Sequence, residues 1–280
     1  MKKKSKWPTF ILLLVFFIGL SVMLYPSLSS YWNKRTQSEA ILDYEKMLAA
    51  IPKEDYTKIF DEAEQYNKKL AALSFPFLEA ETELPEYNKL LDISGTGMMG
   101  YLTIDAISLE IPIYHGTADT VLSVAAGHLQ GSSLPVGGKG THSVVSAHRG
   151  LPTATLFTNL DHLEVGDTFK FTILDRTVTY QVDQIKTVEP TDMSELLIQQ
   201  EEDYCTLLTC TPYGINTHRL LVRGRRIESV EAKTLYLTSD AHQIDSLIVT
   251  PIVALPILFV LMMIVLFKPV KKDDLGDELI

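Results

Sequence analysis

Cysteine is nearly absent: the 280 residues include two, Cys205 and Cys210. They stand five apart in a run that reads as a strand. Five extended residues span roughly 16 Å, well beyond the Cα separation a disulfide allows. The two thiols are therefore expected to be free, and a disulfide scaffold is excluded. Positive charge is also in short supply, with 25 Lys and Arg against 35 Asp and Glu and a net charge of −10. Such a chain has no field to attract nucleic acid, and none is expected as a partner. Neither an internal repeat nor a low-complexity tract is present. A metal pattern is lacking too: the histidines at 115, 128, 142, 148, 162, 218 and 242 include no pair at helical i, i+4 spacing. With the cysteines on opposite faces of their strand, no metal site is expected.

Charge is missing altogether from two stretches. Residues 8–24 are apolar, preceded by Lys2, Lys3, Lys4 and Lys6 and flanked by Trp7 and Tyr25. Residues 247–267 form a second uncharged run, followed by Lys268, Lys271 and Lys272. Each is close to the ~20 apolar residues that cross a bilayer. Both lysine clusters point the same way under the positive-inside rule, placing the termini in the cytoplasm and the intervening chain outside. A cleaved signal peptide is the alternative for the first run. Leu24-Tyr25-Pro26-Ser27 provides no small-x-small cleavage site, so a retained anchor is expected. Pro251 and Pro256 are expected to kink the second span, which membrane helices tolerate.

Between the spans the character changes once. Residues 38–73 read as helical, with one helix over 39–51 ending at Pro52 and a second that Asp55 would cap. Ile59, Ala63, Tyr66, Leu70 and Leu73 form a single apolar stripe, too short for a sustained coiled coil and suited to an arm packed on a larger domain. From Gly100 onward, short runs rich in Val, Ile, Thr, Tyr and Phe alternate with Gly, Pro and Asp. The expected strands are 101–104, 109–114, 143–147, 169–174, 177–188, 204–210 and 219–227, with a hairpin turn at Leu174-Asp175-Arg176-Thr177. Many short strands at this spacing predict a closed or nearly closed all-β barrel.

Three side chains stand where chemistry needs them. Cys210 ends an apolar strand and is followed by Thr211-Pro212-Tyr213-Gly214, which would deliver it to a barrel rim. Alternation puts it on the face of Leu208 and Thr206, with Cys205 opposite as a small apolar filler. From position alone, Cys210 is open to the filler reading as well. A free thiol has a pKa of about 8.5 and is mostly protonated at neutral pH, so a nucleophilic Cys needs help from a base or cation. His148 ends the strand 143–147 and opens into Arg149-Gly150. Arg219 begins the strand after Cys210, where an antiparallel return would bring it alongside the thiol. A guanidinium stays charged and suits an oxyanion rather than acting as a base. Each position has a plainer reading: a structural strand-end histidine, and a solvated basic strand running through Arg223, Arg225 and Arg226.

Thr206-Leu207-Leu208-Thr209-Cys210 resembles the sortase signature Thr-Leu-x-Thr-Cys. The longer stretch 206–226 resembles the class C, pilin-polymerising sortases. So do Gly100-Tyr101, the run 111–117, Gly127-His128-Leu129, the run 132–138 and Ser146-Ala147-His148-Arg149-Gly150-Leu151-Pro152. The resemblance covers about residues 38–230. It implies an all-β, eight-stranded sortase-type β-barrel with an N-terminal helical arm and two flanking transmembrane helices. It also implies Cys210, His148 and Arg219 as the catalytic trio, supported by Thr206, Leu207 and Thr209. The implied reaction is attack on the Thr–Gly bond of an LPxTG-like sorting signal and transfer to a lysine amine of another pilin subunit, with no cofactor. Class C enzymes usually carry a lid bearing an Asp-Pro-aromatic motif; the matching place reads Phe75-Pro76-Phe77, with Phe75 in place of the acid. A lid without a salt bridge to Arg219 is therefore expected, with an ordinary proline-containing linker as the plainer reading.

The expected organisation is a cytoplasmic basic tail and first span at 1–30, an extracellular helical arm with the lid at 31–98, and the barrel at 99–230. A juxtamembrane linker at 231–246, the second span at 247–267 and a cytoplasmic tail at 268–280 complete it. Two further readings compete: a sortase that anchors proteins to peptidoglycan, and a non-catalytic assembly module on a sortase barrel. A soluble secreted cysteine protease is excluded if the second span is real.

Overall fold

A computed structural model describes residues 7–228 and six helical positions between Ala254 and Met263. The second apolar run, 247–267, thus lies mostly outside the described residues, and the linker 231–246 and both lysine clusters lie wholly outside them.

The first helix, α1 (Trp7–Ala50), runs 44 residues without interruption, a length of roughly 66 Å. The sequence pattern had separated an apolar span from an arm helix at 39–51. The structure joins them, because residues 27–38 contain no helix breaker and Pro26 is absorbed within the helix. The N-terminal part of α1 is long and apolar enough to cross a membrane. Trp7, Phe10, Ile11, Leu14, Phe17, Ile18 and Val22 are all exposed on it. A compact unit begins at Ser29 and contains the rest of the arm and the barrel.

The second helix, α2 (Lys53–Ala71), is capped by Pro52 and not by Asp55, which sits within the first turn beside Glu54. Proline fits there because it lacks the N–H a helix start leaves unpaired. Both acids still favour the positive end of the helix dipole. The buried stripe is Tyr56, Phe60, Ala63, Tyr66, Asn67 and Leu70, one residue out of step with the expected one at its start. Ile59 is only partly buried. Burying a ring such as Phe60 contributes about 1.5–3 kcal/mol, and the Arg176 guanidinium covers its other side at 3.7 Å from the centroid. Asn67 fastens the arm by mimicking a peptide. Its Nδ2 donates to the Leu134 carbonyl at 3.1 Å, and Oδ1 accepts from the Leu134 N–H at 2.7 Å. The short helix α3 (Pro76–Glu83) follows, with proline in its first turn.

The barrel has eight strands: β1 (Met98–Ile104), β2 (Leu109–His115), β3 (Ala126–His128), β4 (Thr141–Ser146), β5 (Thr168–Ile173), β6 (Arg176–Val188), β7 (Asp203–Thr211) and β8 (His218–Ile227). A four-residue helix, α4 (Asp119–Leu122), precedes β3. The strands close in the order β1-β2-β3-β4-β7-β8-β6-β5, with β5 returning to β1. Pairs β2–β3 and β4–β7 are parallel and the rest antiparallel. Seven strands match the expected ones within three residues at each end. The eighth, β3, is three residues long and contains a glycine and a histidine, too little for periodicity to register. Closure removes exposed sheet edges and buries a core of alternating side chains. Among them are Leu102, Ile104, Phe169, Phe171, Tyr180, Leu207 and Val222.

Candidate active site

Cys210 and Arg219 are directly opposed in the β7–β8 ladder. The residues between them form the turn that returns the chain, so the expected antiparallel pairing holds. Side chains directly opposed across an antiparallel pair share a face, so thiol and guanidinium project to the same side. Both are half-buried. The Arg219 Nη1 donates to the carbonyls of His218 at 3.1 Å and Asn216 at 3.4 Å. Among the described residues no carboxylate pairs with it, whereas Arg223 is doubly bonded to Asp183 and Arg225 is paired with Glu202. The basic strand is therefore mostly neutralised, and Arg219 keeps its charge for another partner.

The parallel β4–β7 ladder leads toward His148. That ladder runs to Ser146↔Leu208, and two further steps along each strand arrive at His148 and Cys210. Two hydrogen bonds continue it: Ala147 N–H donates to the Leu208 carbonyl at 3.2 Å, and the Thr209 hydroxyl donates to the Ala147 carbonyl at 2.7 Å. Thr209 thus anchors the backbone immediately before His148. The ring itself is half-buried and has no hydrogen-bond partner among the described residues.

The other signature residues have separate tasks. Leu207 is fully buried in the barrel core. The Thr206 hydroxyl meets His142 Nε2 at 2.8 Å, while His142 Nδ1 lies 3.1 Å from the Leu197 carbonyl. Burial pushes His142 down to about 4, so it is neutral at ordinary pH. A carbonyl can only accept, so Nδ1 carries the proton and Nε2 accepts from Thr206. This chain of bonds pins the β6–β7 connection over β7. His142 carried no motif signal, and only its burial identifies it. Cys205, with no exposed surface, faces the core as expected; burial, reinforced by Asp203, pushes its thiol well up. Only Cys210 presents an accessible sulfur.

An apolar patch adjoins the trio on the same face. Val144, Leu196 and Leu221 are buried there, with Leu208, Leu129, Val188, Met193 and Phe77 packed on them. Leu208 and Leu221 are each two residues from Cys210 and Arg219 on their strands. Phe77 thus seats α3 on this patch. Phe75 is 64% exposed and Pro76 is buried. No ion pair joins this segment to Arg219 among the described residues. Gly131 supplies the seat: at φ +91° an added Cβ would lie 2.7 Å from Phe77 Cα and 3.0 Å from the Pro76 carbonyl oxygen. Sequence reading singled out Phe77 but not Gly131, because the two are 54 residues apart.

The sortase domain family matches residues 102–227. Sortase D of Bacillus subtilis is 30% identical over 131 residues, 46% of this chain and 63% of that protein, so the chain spans less than two thirds of that relative's length. Among solved structures, sortase C1 of Streptococcus agalactiae is 48% identical, with a TM-score of 0.62 over 68% of this chain and 98% of that one. Sortase C of Streptococcus pneumoniae, whose crystal structure is described in terms of catalysis and pilin substrate specificity, is 46% identical. It has a TM-score of 0.61 over 68% of this chain and 97% of that one. The barrel order, the strand-end cysteine and these identities converge: this chain belongs to the sortase family, within its class C group.

Proposed function

We propose that this chain is a membrane-anchored class C sortase, a cysteine transpeptidase that cleaves an LPxTG-like sorting signal and joins it to a pilin lysine. The observation that carries this is the pairing of Cys210 with an ion-pair-free Arg219, next to the strand end that presents His148. The Cys210 thiolate attacks the threonine carbonyl of the signal, forming a C–S bond. Arg219 stabilises the oxyanion as the tetrahedral intermediate develops. The C–N bond to glycine then breaks, and His148 gives its proton to the departing amine. In the second half, His148 takes a proton from the incoming lysine amine, whose nitrogen displaces the thiolate and forms an isopeptide bond. The electrons and protons balance without metal or organic cofactor.

Supporting the substrate class are the apolar patch beside the thiol, which suits the Leu-Pro end of a sorting signal, and the kinship with a pneumococcal enzyme described by its pilin specificity. Phe77 lies on that patch, so α3 acts as a lid that must leave before the signal binds. Phe75 replaces the acid that would lock it, and the lid is held by packing alone. The chain crosses the membrane at 8–24 and again at 247–267, with both termini cytoplasmic and the arm and barrel outside, as the lysine flanks indicate.

The test uses the full chain in detergent with an LPxTG-type peptide and intact mass spectrometry. The expected product is an adduct of the peptide truncated after threonine, absent from Cys210→Ala and lost on adding a lysine-bearing pilin domain, which becomes cross-linked. A folded protein with a reactive thiol that forms no adduct with any sorting peptide would overturn the proposal.

A further inference from the structure

Arg149 follows His148 directly, yet its side chain is only 8% exposed and every nitrogen of its guanidinium is engaged. Nε donates to the Thr158 carbonyl at 3.2 Å, and Nη1 donates to the Thr211 hydroxyl at 3.3 Å. Nη2 forms a close ion pair with Asp161. The guanidinium carbon also lies 5.9 Å from the centre of the Tyr213 ring. These partners come from two places. Thr158 and Asp161 belong to the connection that leaves His148, whereas Thr211 is the last residue of β7 and Tyr213 belongs to the turn that follows it.

The backbone beside Arg149 is fitted to the same turn. At Gly150, with φ +76°, an added Cβ would lie 3.0–3.5 Å from three carbons of the Tyr213 ring, and its N–H donates to the Thr158 hydroxyl at 3.1 Å. The strand ladder cannot do this work, because its last pair is Ser146↔Leu208. The His148 ring has no hydrogen-bond partner among the described residues, so its place depends on its backbone. That backbone is held by Thr209 on one side and by Arg149 on the other, with Phe157 N–H on the His148 carbonyl at 3.1 Å.

We propose that Arg149 is a positioning residue that sets the distance between His148 and Cys210, by bridging the loop after the one to the turn after the other. This rests on the catalytic reading of those two residues. A planar fork with donors in three directions suits the bridge; a lysine has the charge but not the geometry. Misplacing a catalytic group by about 1 Å costs on the order of 100-fold in rate, whereas substrate affinity, set elsewhere, changes little.

The experiment follows single-turnover formation of the Cys210 thioester in the full chain in detergent, with an LPxTG-type peptide, beside thermal unfolding of each variant. Arg149→Lys is expected to slow acylation roughly 10- to 100-fold with KM within about twofold. Thr211→Val, which removes one strut and leaves the Asp161 pair intact, is expected to slow it several-fold without moving the unfolding temperature. Asp161→Asn gauges the stability share of the ion pair. The inference is overturned if Thr211→Val acylates at the parental rate, or if the Arg149→Lys loss appears only near a lowered unfolding temperature. Cys210→Ala and His148→Ala separate the two levels. If they abolish the adduct while the Arg149 and Thr211 variants keep full rate, the inference alone fails. If the parental chain forms no adduct, the catalytic reading fails and takes the inference with it.

Discussion

Gly131→Ala probes the proposed lid by adding one methyl group beneath α3. The new Cβ would stand 2.7 Å from Phe77 Cα and 2.9 Å from its Cδ1, with the Pro76 carbonyl oxygen at 3.0 Å. Two of these three atoms are backbone, so no side-chain rotation relieves the contact and α3 must lift. Overpacking of this kind costs roughly 1–3 kcal/mol. The strain of an alanine at φ +91° is common to the open and closed states, so it drops out of their balance. The clash alone then shifts that balance toward the open state by about 5- to 100-fold. The assay is alkylation of the full chain with iodoacetamide, read by intact mass. Cys205 is buried and contributes nothing, and Cys210→Ala supplies the blank. Labelling of Cys210 should accelerate within that range. Phe77→Ala, which removes the ring from Val144, Leu196 and Leu221, should accelerate it as well. Unchanged labelling in both variants, with unfolding still cooperative, would refute the claim that α3 shields the thiol.

Asn67→Ala removes both bonds to Leu134 and leaves its buried N–H unpaired, at roughly 1–3 kcal/mol, while the Leu134 carbonyl keeps the Val136 N–H at 2.8 Å. Thermal unfolding should fall by about 2–12 °C for a domain of this size, and a shift under about 2 °C would contradict the role given to Asn67. Acid should also weaken the fold. Burial holds His128 and His142 at about 4, below the ordinary ~6.5, so the unfolded chain binds more protons between those values. The stability they contribute is complete above about pH 6.5 and drains away as pH falls toward 4, by up to roughly 3 kcal/mol each. The urea midpoint should therefore drop between about pH 7 and pH 4.5, and less so in His128→Gln; a flat midpoint would count against it.

Local chemistry alone determined much of this protein. Alternating apolar residues marked seven strands, because each is long enough to show a period of two. The same alternation separated Cys205 from Cys210, and the Pro-Tyr-Gly break put Cys210 at a rim. Eight intervening residues with a turn were enough to bring Arg219 back beside it. Tertiary structure decided the rest. Nothing local says that β4 lies parallel to β7, yet that pairing of segments 62 residues apart brings the strand leading to His148 alongside the one that ends near Cys210. The short strand β3 exists only because its neighbours supply ladders on both sides. Pro52 rather than Asp55 starts α2, and α1 runs unbroken because residues 27–38 hold no breaker and Pro26 is absorbed in the helix. Gly131 beneath Phe77, and Arg149 between two loops, became legible only once the chain had closed. Periodicity records what each residue does for its own strand or helix, whereas contacts between distant segments are settled by the barrel's closure.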